Sequence, residues 1–322
     1  MLLVRGRKNV TASLGRPLSR PAVAIGNFDG FHRGHQALIA TARRLAASSS
    51  GDVVTLTFDP HPARLFAPAL APPLIVSLER RAELLGEAGS DVVVVEPFTR
   101  EFASIEADDF AAEVLGADLR AAHVVVGYDF SFGKGRRGDT ALLETLGARI
   151  GFGVSIVRRI SVHGLTCSST KVREFALEGR IEGAEVLLGR PFELTGLVTR
   201  GAGRGREIGF PTANLRLEAD LVPKAGIYAA RAHLLPGHEG SGGGGGGGPW
   251  AAALSIGTNP TFVRDGALSV EAYLLDFNGD LYDRRIRLEL VQRLRDEHRF
   301  DSVDALIAQI NADVIKTREL VP

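Results

Sequence analysis

Chemistry in this chain could be carried first by Gly26-Asn27-Phe28-Asp29-Gly30-Phe31-His32-Arg33-Gly34-His35. Two imidazoles three residues apart share one face of a helix's first turn. A helix start also offers unpaired N–H groups and the positive end of the macrodipole, which suit a phosphate. Gly30 and Gly34 would let that ligand approach closely. A second set is Gly201-Ala202-Gly203-Arg204-Gly205-Arg206-Glu207-Ile208-Gly209, followed by Phe210-Pro211-Thr212-Ala213-Asn214. A dinucleotide-binding glycine loop must open a helix, and Pro211 argues against one. The stretch reads instead as a glycine flap holding Arg204 and Arg206 over a polyphosphate, its N–H groups forming an anion nest.

Thr212 and Asn214 are two apart, so on an extended segment they point the same way. They suit either Mg²⁺ with phosphate oxygens or an ordinary turn. Glu271 is a lone carboxylate in Val270-Glu271-Ala272-Tyr273-Leu274. Such an acid is either an edge charge or a group with a task, since unpaired burial is costly. Ser168-Ser169-Thr170-Lys171-Val172-Arg173 places hydroxyls at a helix start, where they cap N–H groups or bind phosphate, with Arg173 as a planar cation. Gly127-Tyr128-Asp129-Phe130-Ser131-Phe132-Gly133 suits a flat ring beside phosphates, although Phe130 and Phe132 suit a core equally.

The elements needed to position these groups are legible. Ala22–Ile25 is an apolar run ended by glycine, and Leu38, Ala42 and Leu45 begin a helical period. Strands follow at 52–58, 91–95, 123–127 and 154–160, and helices at 77–88, 107–115 and 142–150. Pro60 and Pro62 disfavour a helix and stiffen the turn Asp59-Pro60-His61-Pro62. Strands alternating with helices imply a parallel sheet that binds ligands at its carboxyl ends, where the loops after Ile25, Phe58 and Val126 emerge. From Leu188 the segments become short and glycine-punctuated, at 194–199, 226–234, 250–256, 269–275 and 285–290. They imply an antiparallel barrel or sandwich. A helix from about Ser302 closes the chain, capped by Asp301 or Ser302, with Leu306, Ile310 and Val314 as its apolar stripe. The run Gly242–Gly248 is expected to be a mobile, dispensable loop.

A chain of 322 residues calls for two domains. Lys+Arg and Asp+Glu both number 38, which gives no global attraction to nucleic acid or an anionic membrane. Cys167 is the single cysteine, so no intramolecular disulfide forms, as fits a reducing compartment. The opening Met1–Gly6 does not read as a signal peptide, and a cytoplasmic protein is expected. No P-loop motif and no zinc spacing occur.

Gly-Asn-Phe-Asp-Gly-Phe-His-Arg-Gly-His resembles the signature of the H-x-G-H nucleotidyltransferases. In particular it resembles the adenylyltransferase half of the prokaryotic bifunctional riboflavin kinase/FMN adenylyltransferases. Gly127 to Gly133 resembles the family's flavin-binding loop, and Ser168 to Arg173 its ATP-phosphate element, with Lys171-Val172 where Arg-Ile is usual. Gly203 to Asn214 resembles the riboflavin kinase motif, and Gly257-Thr258-Asn259-Pro260-Thr261 the kinase's Gly-x-x-Pro-Thr loop. The resemblance implies an α/β architecture. Residues 1–187 would form a Rossmann-like adenylyltransferase domain, and residues 188–322 an antiparallel kinase barrel closed by a helix.

The resemblance also implies MgATP-dependent phosphorylation of riboflavin to FMN, then adenylylation of FMN to FAD with release of pyrophosphate. Glu271 would be the general base, His32 and His35 the charge-stabilising pair, and Thr212 and Asn214 the Mg²⁺ ligands. Nucleotide and flavin contacts would come from Gly26, Asn27, Phe28, Asp29, Gly30 and Gly34, and from Phe58, Asp59, Pro60 and His61. Others would come from Gly127, Asp129, Phe130 and Phe132, and from Ser168, Ser169, Thr170 and Arg173. In the kinase half, Gly203, Arg204, Gly205, Gly209, Phe210, Pro211, Asn259 and Thr261 join Thr212 and Asn214. Expected partners are riboflavin, FMN, FAD and ATP, with no nucleic acid and no membrane, on a monomer or weak homo-oligomer. Two other readings stay open: an H-x-G-H adenylyltransferase with a different acceptor, and a non-catalytic flavin-binding regulator.

Overall fold

The computed structural model describes residues 1–201, 205, 208–236, 248–258 and 268–322. The chain divides into two compact units, Met1–Pro73 with Ser77–Ser169, and Leu74–Val76 with Thr170–Pro322.

The first unit is a six-stranded parallel sheet in the order β1-β4-β3-β2-β5-β6. The strands are β1 Leu2–Arg5, β2 Ala22–Ile25, β3 Val53–Asp59, β4 Val92–Pro97, β5 His123–Gly127 and β6 Gly153–Val157. Runs such as Val92 to Val95 are buried throughout because helices connect the parallel strands and cover them. The chain order reverses at β2, with β3 and β4 to one side and β5 and β6 to the other. That reversal places the loops after β2 and β5 next to each other at the strands' carboxyl ends, the usual binding crevice.

Local signals set the helix ends. Ser77 Oγ accepts the Arg80 N–H at 3.2 Å to start Leu78–Glu87, and Asp139 accepts the Leu142 N–H at 2.8 Å to start Thr140–Ile150.

Several details differ from the sequence reading. The edge strand β1 was not anticipated, since four residues are too few to show a period. The expected helix over 107–115 is a short α-turn, Ala107–Asp109, running into a π-helix at Phe110–Asp118. The strand expected over 154–160 ends at Val157, and a small antiparallel hairpin of β7 Ser161–Val162 and β8 Leu165–Thr166 follows.

The second unit is a closed antiparallel barrel in the order β10-β13-β12-β11-β14-β9. Its strands are β9 Phe192–Thr199, β10 Ala213–Leu217, β11 Gly226–Leu234, β12 Trp250–Thr258, β13 Leu268–Leu274 and β14 Arg285–Arg295. The period of two fills it: Ala252, Leu254 and Ile256 point inward, as do Val270, Ala272 and Leu274, and Ile286, Leu288 and Leu290. β10 was not expected as a strand, because Arg216 breaks its short apolar pattern.

Helix Ile181–Leu188, also unanticipated, buries Ile181, Ala184, Leu187 and Leu188 and packs on β9 and β14. The segment Leu74–Val76 joins this unit through the Leu74 N–H to Asp220 and the Leu221 N–H to the Leu74 carbonyl, both 2.9 Å.

The closing helix, Val303–Leu320, is capped by Ser302, whose Oγ accepts the Ala305 N–H at 3.1 Å. Its expected stripe of Leu306, Ile310 and Val314 is only half-buried, while Asp313 and Thr317 are its most buried residues. The reason is Arg295 on β14, whose Nη2 meets Asp313 at 2.7 Å and turns that polar row inward. No helix among the described residues is long and apolar enough to cross a membrane.

Candidate functional site

At the carboxyl end of β2 the chain turns sharply, with Phe28, Gly30 and Phe31 at φ of 51°, 75° and 42°. Non-glycine residues adopt this left-handed region only when their surroundings enforce it. Here the Phe28 ring is fully buried, and the Asn27 carbonyl accepts from Arg81 Nη1 at 2.7 Å and Thr57 Oγ at 3.2 Å. The Asp29 carbonyl accepts from Ser169 Oγ at 2.8 Å. Gly26 fits because a Cβ there would lie 3.3 Å from the Phe28 ring.

His32 is the N-cap of helix Arg33–Ser49, and not part of its first turn. Its Nδ1 accepts the N–H groups of Gly34 at 3.1 Å and His35 at 3.4 Å. Two of the helix-start donors expected to meet a phosphate are therefore taken by His32 itself. The rings still come together, stacked with centroids 3.7 Å apart and planes at 21°. Phe28 places its edge against His35 at 5.2 Å. Gly34 leaves room for this arrangement, since a Cβ there would lie 2.9 Å from His32 Cε1.

Burial, then the charges of His32 and Arg81, push the His35 imidazole well below its ordinary value. It is neutral at neutral pH, and its buried Nδ1 has no hydrogen-bond partner among the described residues. With Nδ1 of His32 accepting, the N–H of that ring is on Nε2. The pair thus offers hydrogen-bond donors to an oxyanion without a fixed charge on His35.

Around this turn the other expected contacts divide. Phe58 lies in the core, its ring 5.6 Å from Phe98, while Asp59 and Pro60 leave the end of β3. The prolines do not exclude a helix: His61 caps a short one at Pro62–Phe66, its Nδ1 accepting the Ala63 N–H at 3.2 Å, and Pro62 sits at the first position, where its missing N–H is no loss. After β5, Gly127 keeps space for Asp129, whose Oδ1 would be 3.2 Å from a Cβ there. Phe130 and Phe132 stack at 5.6 Å, but Phe132 is buried against Phe110, and Phe130 packs on the same core. Ser168 is half-buried at the head of helix Ser169–Glu178. Thr170 and the buried Arg173 belong to the second unit. Lys171 Nζ pairs with Glu174 at 2.6 Å.

In the barrel, the pleat puts Glu271 on the outer face of β13, half-buried, and not in the apolar interior. Its Oε2 accepts from Thr212 Oγ at 3.2 Å, and in register it faces Asn214 on β10 and Ser255 on β12. The Phe210 N–H donates to the Gly205 carbonyl at 2.7 Å, and Gly209 has φ of 90°, so the segment folds back before Pro211. Phe210 meets Tyr273 edge-on at 5.5 Å. The expected contacts Gly203, Arg204, Asn259 and Thr261, like Arg206 and residues 242–247, lie outside the described residues.

Comparison with known proteins matches two stretches of the chain to two families. The FAD synthetase family matches residues 16–171, and the riboflavin kinase family matches residues 188–321. A bifunctional riboflavin kinase/FMN adenylyltransferase from Pseudomonas fluorescens is 39% identical, over 99% of this chain and 98% of its own. The protein of that name from Escherichia coli K12 is 37% identical over 99% and 97%. The chain belongs to the bifunctional riboflavin kinase/FMN adenylyltransferase family.

A crystal structure from Streptococcus pneumoniae, named a macrolide-efflux protein, shares the fold with a TM-score of 0.82 and 29% identity over 99% of each chain.

Two functional candidates escaped the sequence reading of this family member. Arg81 is almost fully buried under the signature turn. Its signal was present, since it lies three residues after Leu78 and four before Leu85, on the helix's apolar stripe. Glu297 reaches Ser255 Oγ at 3.5 Å, and burial, with a contribution from the Glu271 charge, raises its carboxyl above the usual range. Glu297 carries no comparable signal, because the end of β14 comes near β12 only through β11, which pairs with both strands.

Proposed function

We propose that this bifunctional transferase makes FMN and FAD in sequence, the kinase occupying residues 188–322 and the adenylyltransferase residues 1–187. The observation that carries the reading is two separate sets of phosphate-directed groups, one at the carboxyl ends of a parallel sheet and one on a barrel's outer face. Each set coincides with its own family match.

In the kinase step, Glu271 takes the proton from the ribityl 5′-hydroxyl of riboflavin as that oxygen attacks the γ-phosphorus of ATP, and ADP leaves. Thr212 and Asn214, beside Glu271, supply neutral oxygen donors that fit Mg²⁺. Bound there, Mg²⁺ would neutralise phosphate charge. The flap residues Gly203, Arg204, Gly205 and Gly209, with Phe210 and Pro211, cover the nucleotide, and Asn259 and Thr261 complete the site.

In the adenylyl step a phosphate oxygen of FMN attacks the α-phosphorus of ATP, and pyrophosphate leaves. FMN is already an anion, so no base is required. His32 and His35 donate hydrogen bonds to phosphate oxygens as charge grows on the leaving group. Gly26 to Gly30, Gly34, Asp59 to His61, Ser168 and Ser169 surround the nucleotide, and the loop from Gly127 to Phe132 holds the flavin.

The partners in this reading are riboflavin, FMN, FAD and ATP, without nucleic acid or membrane. The protein works in the cytoplasm as a monomer or weak homo-oligomer. A chromatographic time course with riboflavin, ATP and Mg²⁺ tests it: FMN rises first and FAD follows. FMN without FAD, even when FMN is supplied, would refute the adenylyltransferase assignment, and neither product would refute both.

A further inference from the structure

Arg81 combines three properties that a solvated helix arginine lacks. Its side chain is buried, with the residue 3% exposed. Nη1 donates to the Asn27 carbonyl at 2.7 Å, inside the turn where Phe28 and Phe31 hold left-handed backbone. Its Nε is buried with no hydrogen-bond partner among the described residues. Burying a guanidinium this way is costly, and the cost persists only where the surroundings need the charge or the geometry. Burial lowers its pKa, while the charges of Asp29, Asp59 and Glu79 oppose that.

The target of Nη1 is informative. The same Asn27 carbonyl is also held by Thr57, a fully buried residue on β3. Helix Leu78–Glu87 and strand β3 therefore grip one peptide from two elements, immediately before the residues that lead into His32 and His35. A turn with Phe28 at φ of 51° does not hold itself, and this double grip supplies the restraint. The Arg81 charge also reaches His35.

We propose that Arg81 is a positioning residue for adenylyl transfer, its buried guanidinium fixing the strained Gly26–Gly30 turn through the Asn27 carbonyl and so setting where the stacked His32–His35 pair meets the phosphates. This rests on the adenylyltransferase reading above. Arg81 touches no substrate in this role. Its loss therefore acts on the chemical step more than on ground-state binding.

The test uses the full chain and follows FAD formed from supplied FMN and ATP, with FMN formed from riboflavin as internal control. Arg81→Met is expected to lower kcat for FAD about 100-fold, the scale of a displacement near 1 Å, with both KM values within about threefold. Arg81→Lys keeps a single charged donor and is expected to recover at least tenfold of that loss. Thr57→Val, which removes the other donor, is expected to lower kcat in the same direction with KM again held.

An Arg81→Met enzyme within twofold of the parent would overturn the proposal, as would a rise in KM with kcat unchanged. Should Arg81→Met unfold the first unit, seen as lost hydrogen-exchange protection in β2, Thr57→Val decides. Parent-like kcat in Thr57→Val would overturn it. If the parent itself forms no FAD, the adenylyltransferase reading fails instead, and that result is distinct from any of these.

Discussion

Gly34→Ala separates catalytic geometry from stability. The added Cβ would lie 2.9 Å from Cε1 and 3.0 Å from Nδ1 of His32, and 3.5 Å from the Cys167 carbonyl. The carbonyl can stay, but the imidazole must rotate, because carbon and nitrogen do not pack that closely. Rotation is cheap for the fold. It forfeits the His32 cap on the Gly34 and His35 N–H groups, worth about 0.5–2 kcal/mol. Alanine in place of glycine returns up to about 1 kcal/mol of helix propensity.

The net stability change is therefore within about 1 kcal/mol of zero. Catalysis has no such compensation, since the ring that moves is stacked 3.7 Å from His35. A shift near 1 Å at a reacting group costs roughly 100-fold, or about 2.7 kcal/mol of barrier. The assay is FAD formation from FMN and ATP at saturating substrate, with a thermal melt and the riboflavin kinase rate measured on the same sample. FAD formation within threefold of the parent, with the melt unchanged, would refute the claim that His32 must hold this ring position.

Other perturbations follow from the same geometry. His35→Ala should abolish FAD synthesis and leave FMN synthesis intact, and equal loss of both in a folded protein would contradict two separate sites. Glu271→Gln should slow FMN formation by about 10²–10⁴-fold while FAD formation from supplied FMN continues, as product chromatography would reveal. His35 has a depressed folded-state value, so the folded state binds fewer protons than the unfolded one near pH 6. Its stabilising contribution is complete above the unfolded value of about 6.5 and declines by up to about 1.4 kcal/mol per pH unit below it. Hydrogen exchange in β2 between pH 7 and 5 should show this slope in the parent and lose it in His35→Gln. Leu187→Ala, a cavity beneath the barrel in helix Ile181–Leu188, should cost about 2–5 kcal/mol and lower the temperature at which kinase activity is lost.

Much of this protein was determined by sequence alone, wherever a local rule was sufficient. The valine run of β4, the alternation in β12 and β13, and the caps Ser77 and Ser302 each follow from residues within one or two turns of one another. The short spacing of His32 and His35 likewise announced that they would meet. What the sequence left open depended on partners far along the chain.

That His32 caps the helix with its own ring, and so consumes N–H groups that a phosphate was expected to use, is a choice among local geometries made by the packing around Phe28. Glu271 reads as a carboxylate in an apolar strand, but the barrel's pleat decides that it faces outward toward Thr212, which lies 59 residues away. Arg81 lies on its helix's apolar stripe, but only the docking of that helix sets its partner, the Asn27 carbonyl 54 residues away. The closing helix turns Asp313 inward and not its apolar stripe, because Arg295 waits on β14. Local sequence sets which groups are available and how each element is capped. Burial and long-range pairing decide which of those groups lose their water, and hence which can hold a strained turn or a neutral histidine in place.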